Sequence, residues 1–326
     1  MYSVLLIPIG DGRSVIKNRS VCKETNFLRN DCDSLAFFHE YCIFNSKLVR
    51  LPQCGSPTSK QLTIMEFNTI KVQLGESMAW VNLDRPEVRN ALNPDLIREV
   101  TEVFDWLNSR DDIRVIILKG NGKCFCAGAD LEYMKDMAGF SYDQNVADAQ
   151  KLSQLFQTIY FCNKAVIVDV HGACIGGANG IIAAADIVIA EKDTKFAFTE
   201  VRLGITPATI SPFVVAKIGH TAAKELMLTG RRFTSEEAKT FGLVNAVVDE
   251  GEIIDTERQY IDHFMHASPD AIAECKNLLR VVSGIDGRFN PVFMQTSLAI
   301  ANQRISMAGQ EGMKAFFEKR KPEWDK

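Results

Sequence analysis

Short apolar, β-branched runs alternate with amphipathic stretches from Ile70 onward. Residues 72–74 and 79–83 read as a hairpin-like strand pair around Gly75-Glu76. Over 94–108, Leu96, Ile97, Val100, Val103, Phe104 and Leu107 recur at helical spacing, and Asn93 stands where an N-cap belongs. Residues 115–119 and 166–170 are too uniformly apolar for a half-exposed strand and read as buried ones, with a mainly helical stretch, 141–162, between them. From Ser235 the pattern is mostly helical, including 270–282 and 291–308. Alternating strands and helices predict an α/β fold with parallel strands in its core, followed by a helical C-terminal region.

Two of the strands run into turns of small residues. After 166–170 come Gly172, Ala173, Gly176, Gly177, Ala178 and Gly180, then an Ala/Ile run of helical character to Ala185. After 115–119 come a polar glycine turn and then Ala127, Gly128 and Ala129. A strand that passes through such a turn into a helix leaves backbone N–H groups free, and these stabilise negative charge on a phosphate or on an oxyanion formed from a carbonyl. The dinucleotide spacing G-x-G-x-x-G does not occur in this turn, and the chain has no P-loop pattern with its Lys and Ser/Thr. Two turns that each lend one N–H to the same oxygen would make an oxyanion hole. Glycine clusters in turns also serve purely structural ends, supplying positive φ or close packing.

The chain resembles the crotonase, or enoyl-CoA hydratase/isomerase, superfamily. The resemblance covers residues 65–326 and is carried by motifs in order. They are Asp84-Arg85-Pro86-Glu87-Val88-Arg89-Asn90-Ala91-Leu92, Phe125-Cys126-Ala127-Gly128-Ala129-Asp130-Leu131 and His171-Gly172-Ala173-Cys174-Ile175-Gly176-Gly177. Further along are Phe198-Thr199-Glu200-Val201-Arg202-Leu203-Gly204, Leu228-Thr229-Gly230-Arg231-Arg232-Phe233, Glu237-Ala238 and Gly242-Leu243-Val244-Asn245, and the ending Phe316-Phe317-Glu318-Lys319-Arg320-Lys321-Pro322 is also similar.

That resemblance implies a spiral of repeated ββα units over 65–255 and a helical trimerisation region over 256–326, assembled as trimers or paired trimers. It implies that the backbone N–H groups of Ala129 and Gly177 hold the thioester oxygen of an acyl-CoA. One such donor is typically worth about 3–4 kcal/mol of barrier. Arg89, Ala91, Ala127, Gly128, Asp130, Leu131, Gly176, Gly180 and Pro207 fall at the positions that bind substrate or its CoA portion, and residues 133–147 and 208–215 at those that shape the acyl pocket. Coenzyme A enters as part of the substrate; no other cofactor is expected.

The acid/base set is where the chain departs from the usual hydratase pattern. Relatives that hydrate enoyl-CoA by the usual route carry two glutamates. The second matches Glu200; the first falls at Gly180, which has no side chain, and Asn179 beside it can hydrogen-bond water without taking its proton. One carboxylate suffices for a double-bond isomerase, whereas for hydration it must pass protons to and fro through the same water. The Ala208-Thr209-Ile210-Ser211-Pro212-Phe213 segment is similar to bacterial 3-methylglutaconyl-CoA hydratase-like members of leucine breakdown, which also tend to lack the first glutamate. The expected activity is therefore hydration of a short or branched 2-enoyl-CoA, with double-bond isomerisation as the alternative, and a non-catalytic acyl-CoA- or RNA-binding role as the alternative of another class. A lone loop glutamate is ordinarily a solvated charge or an ion-pair partner, and Arg202 lies two residues on. Phe196, Phe198 and Val201 would instead surround Glu200 with apolar groups and raise its pKa.

Composition narrows the classes. The 326 residues are 46% apolar with a net charge of −4, enough for one large core and without the basic patch that nucleic acid requires. The nine cysteines lack a disulfide-framework spacing and point to a reducing, cytoplasmic setting. No metal-ligand motif occurs, and no apolar run is long enough for a membrane span. His171, His220, His263, His266 and His39 lack triad spacing, and His171, at the end of a strand, reads as structural. Residues 1–64 have no clear periodicity and hold eight Lys/Arg against five Asp/Glu, so they fit neither a signal nor a transit peptide. They are expected to be a disordered extension or a mis-called start, with the natural start at Met65.

Overall fold

The computed structural model describes residues 63–325 except 286 and 289, together with the short segments 6–9, 13–16, 41–44 and 47–50. Two compact units are distinguished, 1–59 and 60–326. In the first, β1 (Leu6–Ile9) pairs antiparallel with β2 (Arg13–Ile16), and β3 (Tyr41–Phe44) with β4 (Lys47–Arg50). The rest of the expected extension lies outside the described residues.

The second unit opens with β5 (Thr63–Glu66), β6 (Ile70–Leu74) and β7 (Met78–Leu83), an antiparallel meander in which Val72 faces Val81. Helix α1 (Pro94–Asn108) follows, and its start obeys the sequence: Asn93 Oδ1 accepts from Leu96 N at 2.9 Å, and Pro94 occupies the first turn, where no N–H is needed. Then come β8 (Val115–Gly120), α2 (Leu131–Met137), α3 (Tyr142–Tyr160), β9 (Ala165–Val170), β10 (Ala173–Ile175) and α4 (Ala178–Ala184). Next are β11 (Ile187–Glu191), β12 (Lys195–Ala197), α5 (Ser211–Thr229), β13 (Arg232–Thr234), α6 (Ser235–Thr240) and β14 (Ala246–Val248). The helices α7 (Ile253–His266), α8 (Pro269–Ser283), α9 (Pro291–Ile305) and α10 (Met307–Phe317) close the chain.

Seven strands form one sheet in the order β14-β11-β9-β8-β7-β6-β5, parallel from β7 through β14. A second sheet, β10-β12-β13, carries the glycine turns' neighbours. Period-two alternation sends Ile116, Leu118, Val166 and Val168 into the main core, while Val115, Ile117, Ala165 and Ile167 meet Ile261, Phe264 and Met265 of α7 on the other face. On that second face Asp169 is buried, with Lys119 Nζ at 3.1 Å; the same lysine pairs with Glu257 of α7. Burial, reinforced by Glu257, pushes the Asp169 carboxyl up to about 8.

The expected helix over 291–308 is two helices. Ser306 is extended (φ −69°, ψ 158°), and its hydroxyl accepts from Gly309 N at 3.1 Å to start α10. Gly309 approaches the Gln303 carbonyl so closely that a Cβ would lie 2.1 Å from its oxygen, so only glycine permits the bend. Among the described residues no helix is long and apolar enough to cross a membrane.

Candidate active site

The two glycine turns are stitched to one another. Phe125 N donates to His171 O (2.9 Å), Cys126 N to Ala173 O (3.1 Å), and Ile175 N back to Cys126 O (3.2 Å). Close approach of the two segments requires Gly128 (φ +97°), whose Cβ would stand 2.9 Å from Ile175 O. His171 Nε2 meets Gly122 O at 2.9 Å, a staple across the first turn that accords with a structural histidine.

Ala129 and Gly177 thereby border one cavity of about 520 Å³. Leu92 N donates to Gly128 O and Asp130 N to Leu92 O, a bridge that makes no use of the N–H of Ala129 itself. Neither that N–H nor the one of Gly177 is bonded to a backbone carbonyl among the described residues. Two unclaimed N–H groups beside one cavity can hold an oxygen as it gains negative charge.

Glu200 lies on the same cavity, three residues beyond β12, at the start of a 3₁₀ turn, Glu200–Leu203, that ends at Gly204 (φ 70°). Its Oε1 is 3.5 Å from the place a Gly176 Cβ would take, so the carboxyl stands over the second turn. Part of the residue faces the cavity, but Oε2 is shut off from solvent and has no hydrogen-bond partner. Burial pushes its pKa up to about 7. Arg202 is exposed and makes no ion pair with it, which removes the surface-salt-bridge reading.

Of the remaining candidates, Ala127, Gly128, Leu131, Gly176 and Pro207 line the cavity; Arg89, Ala91, Asp130 and Gly180 do not. Asp130 caps α2, accepting from Glu132 N at 2.9 Å, and pairs with Arg85 at 2.9 Å. Arg85 also donates to Ala91 O at 2.6 Å, and Arg89 O accepts from Ala127 N at 3.0 Å. These residues scaffold the 127–131 segment from behind. Gly180 is buried in α4, where a Cβ would meet Ile210 Cγ2 at 2.5 Å and the Phe156 ring at 2.7 Å. The place of a first glutamate is therefore filled by other side chains. Asn179, weighed as a holder of water, spends its side-chain NH₂ on the carbonyls of Cys174, Gly176 and Ala197.

The cavity walls are largely apolar, from Leu92, Ile97, Met134, Leu152, Ile210 and Ile300, with Met313, Phe316, Arg320 and Pro322 supplied by the C-terminal segment. Both stretches expected to shape an acyl pocket contribute, through Tyr133, Met134 and Met137 and through Thr209 and Ile210. A buried ion pair, Arg304 Nη1 to Asp148 Oδ2 at 2.6 Å, also reaches the cavity and joins α9 to α3. It was not anticipated: its members are 156 positions apart, with no local signal. Glu200 is thus the one lining carboxylate among the described residues that lacks a cation partner. Cys126 and Cys174 are buried beneath the turns, and burial raises the Cys126 thiol to about 12, so neither is a nucleophile. No cluster of three His, Cys, Asp or Glu able to hold a metal occurs among the described residues.

Residues 73–326 match the enoyl-CoA hydratase/isomerase family. The chain is 32% identical to the carnitinyl-CoA dehydratase of Proteus mirabilis, covering 76% of this chain and 95% of that one. It is 30% identical to the short-chain-enoyl-CoA hydratase of Clostridium acetobutylicum, covering 79% and 98%. A crystal structure of an enoyl-CoA hydratase from Shewanella pealeana superimposes with a TM-score of 0.65 at 35% identity, over 79% of this chain and 96% of that one. Fold and motifs together place this chain in the enoyl-CoA hydratase/isomerase family, the crotonase superfamily.

Proposed function

We propose that this protein is a hydro-lyase that adds water to a short or branched 2-enoyl-CoA thioester. The thioester oxygen accepts hydrogen bonds from the N–H groups of Ala129 and Gly177. Ionised Glu200 takes a proton from water as the water oxygen bonds to the β-carbon. The electron pair of the double bond moves towards the thioester, and charge on its oxygen is held by the two amides, which need no reorganisation. The protonated Glu200 then delivers its proton to the α-carbon, closing the balance as one added water. The observation that carries this reading is the Glu200 carboxyl, with no cation beside it and Oε2 buried without a hydrogen-bond partner, on the cavity that Ala129 and Gly177 border. A pKa of about 7 suits a group that must both take and return a proton near neutrality. Relatives named as a hydratase and a dehydratase of CoA thioesters support the reaction class.

One observation favours a second reading. With position 180 closed by Phe156 and Ile210, Glu200 works without a second carboxylate, and a single carboxylate also suffices to shift a double bond. Incubation with crotonyl-CoA, 3-methylglutaconyl-CoA and a 3-enoyl-CoA separates the two by product mass. Hydration adds the mass of water, and isomerisation leaves the mass unchanged while thioester absorbance rises. A protein that leaves all three intact is a binder, and the reading fails. Trimers or paired trimers belong to the same proposal; Leu278, Leu279 and Val282 of α8 and Met307 are among the exposed apolar residues available for such contacts, to be tested by light scattering.

A further inference from the structure

Asn179 is fully buried at the second position of α4, and its side chain makes an uneven set of contacts. Its Nδ2 donates to Cys174 O at 3.2 Å, Gly176 O at 3.1 Å and Ala197 O at 3.0 Å, while Oδ1 has no partner and no solvent contact. The orientation is fixed, because a flipped amide would aim Oδ1 at three carbonyl oxygens. An orphaned amide oxygen in the interior is costly, so the site forgoes stability to keep that NH₂ in place.

The three acceptors are informative by position. Cys174 is in β10 and Gly176 (φ +56°) forms the turn that delivers Gly177. Ala197 ends β12, three residues before Glu200. Backbone bonds run the same way, Gly176 N to Ala197 O at 2.9 Å and Asn179 N to Gly176 O at 3.0 Å. We infer that Asn179 is a positioning residue: its amide fastens the Gly176–Gly177 turn to the end of β12, holding the Gly177 N–H and the Glu200 carboxyl in one frame. The inference rests on the reaction proposed above for the meaning of that frame, but not for its existence.

Asn179→Ser keeps one donor on a shorter side chain, and Asn179→Asp keeps the shape while replacing the NH₂ by an acceptor. In both, kcat is expected to fall about 10- to 100-fold with KM within about threefold, since a displacement of about 1 Å at a reacting centre has effects of this order. Two substrate-free readouts accompany the kinetics: hydrogen exchange at the Gly176 amide, which is bonded to Ala197 O and is expected to accelerate, and the titration of Glu200 followed by carbon NMR, expected to move from its wild-type midpoint. A folded Asn179→Ser protein with a lower Tm but wild-type kcat, Gly176 exchange and Glu200 titration overturns the inference and leaves Asn179 a stability residue. Should Asn179→Asp not fold, Asn179→Ser decides. If the wild-type protein turns over no thioester, the reaction reading fails, and the two substrate-free readouts still decide the clamp.

Discussion

Two carboxyls among the described residues, Asp169 and Glu200, are pushed above the usual carboxylate range by burial, yet their surroundings differ in kind. Asp169 lies under α7, shares Lys119 with Glu257, and is pushed up to about 8 by burial and by its acidic neighbour. Glu200 reaches about 7 through burial, with no cation beside it and an oxygen left unbonded next to an open cavity. The first ties a helix to a sheet through Lys119; the second lines a cavity with no cation to hold it. A raised pKa is therefore no mark of an active site by itself. Lack of a cation, together with access to a cavity that also holds unclaimed N–H donors, tells the two apart.

The comparison breaks most readily at Glu200. Glu200→Gln is expected to lower turnover by about 10²–10⁴ with the fold intact, measured as kcat on the substrate found in the thioester panel. In the wild type, kcat/KM should fall as pH drops through about 7, because the ionised form activates water. Stability runs the other way. A carboxyl raised above its unfolded value of 4.5 favours the folded state least once pH has risen past about 7, so Glu200→Gln should be more stable than wild type at pH 8 and similar at pH 4. Wild-type turnover in the Gln variant would leave Glu200 no different in role from Asp169.

Next in size is the first turn. Ala129→Pro removes one N–H while sparing both hydrogen bonds of the Leu92 bridge, and should lower kcat by about 10²–10³. Circular dichroism of the variant separates this from a folding defect. Gly180→Ala, tested by urea denaturation, should cost about 1–3 kcal/mol, because its methyl group would press on Phe156 and Ile210. The smallest catalytic effect is expected at the other carboxyl. Asp169→Asn should leave kcat within about twofold, as befits a residue that does not line the cavity. Its folded pKa is raised, so wild-type stability declines as pH climbs from about 4 to about 8; the Asn variant should lose that decline in thermal melts across the range.

Much of the fold was legible because it depends on local periodicity. The 70–83 hairpin, α1 with its Asn93 cap and the buried β9 each follow from residues within a few positions of one another. Glu200 and the two turns were legible through the motifs that carry the resemblance, and the expected rise of the Glu200 pKa is found, while Phe196 and Phe198 are buried in a stack with Phe233. What stayed hidden is tertiary. The Asp148–Arg304 pair joins distant helices, and the role of Arg85 behind Asp130 and Ala91 depends on how a loop folds back. The break at Ser306 was missed because the apolar spacing of 291–308 continues across it, although Ser306 and Gly309 are a cap and a tight bend when read together. Asn179 lies next to the position of the absent glutamate and invited a chemical reading, whereas its partners are carbonyls contributed by three separate segments.

The packing around Gly180 also bears on how this lineage can change. A codon switch to glutamate there arrives in a space already taken by an aromatic ring and an isoleucine, so the newcomer is harmful before it is useful. Shrinking Phe156 or Ile210 beforehand opens a void with no benefit of its own. Either order costs stability first, so glycine at position 180 is held there by its neighbours.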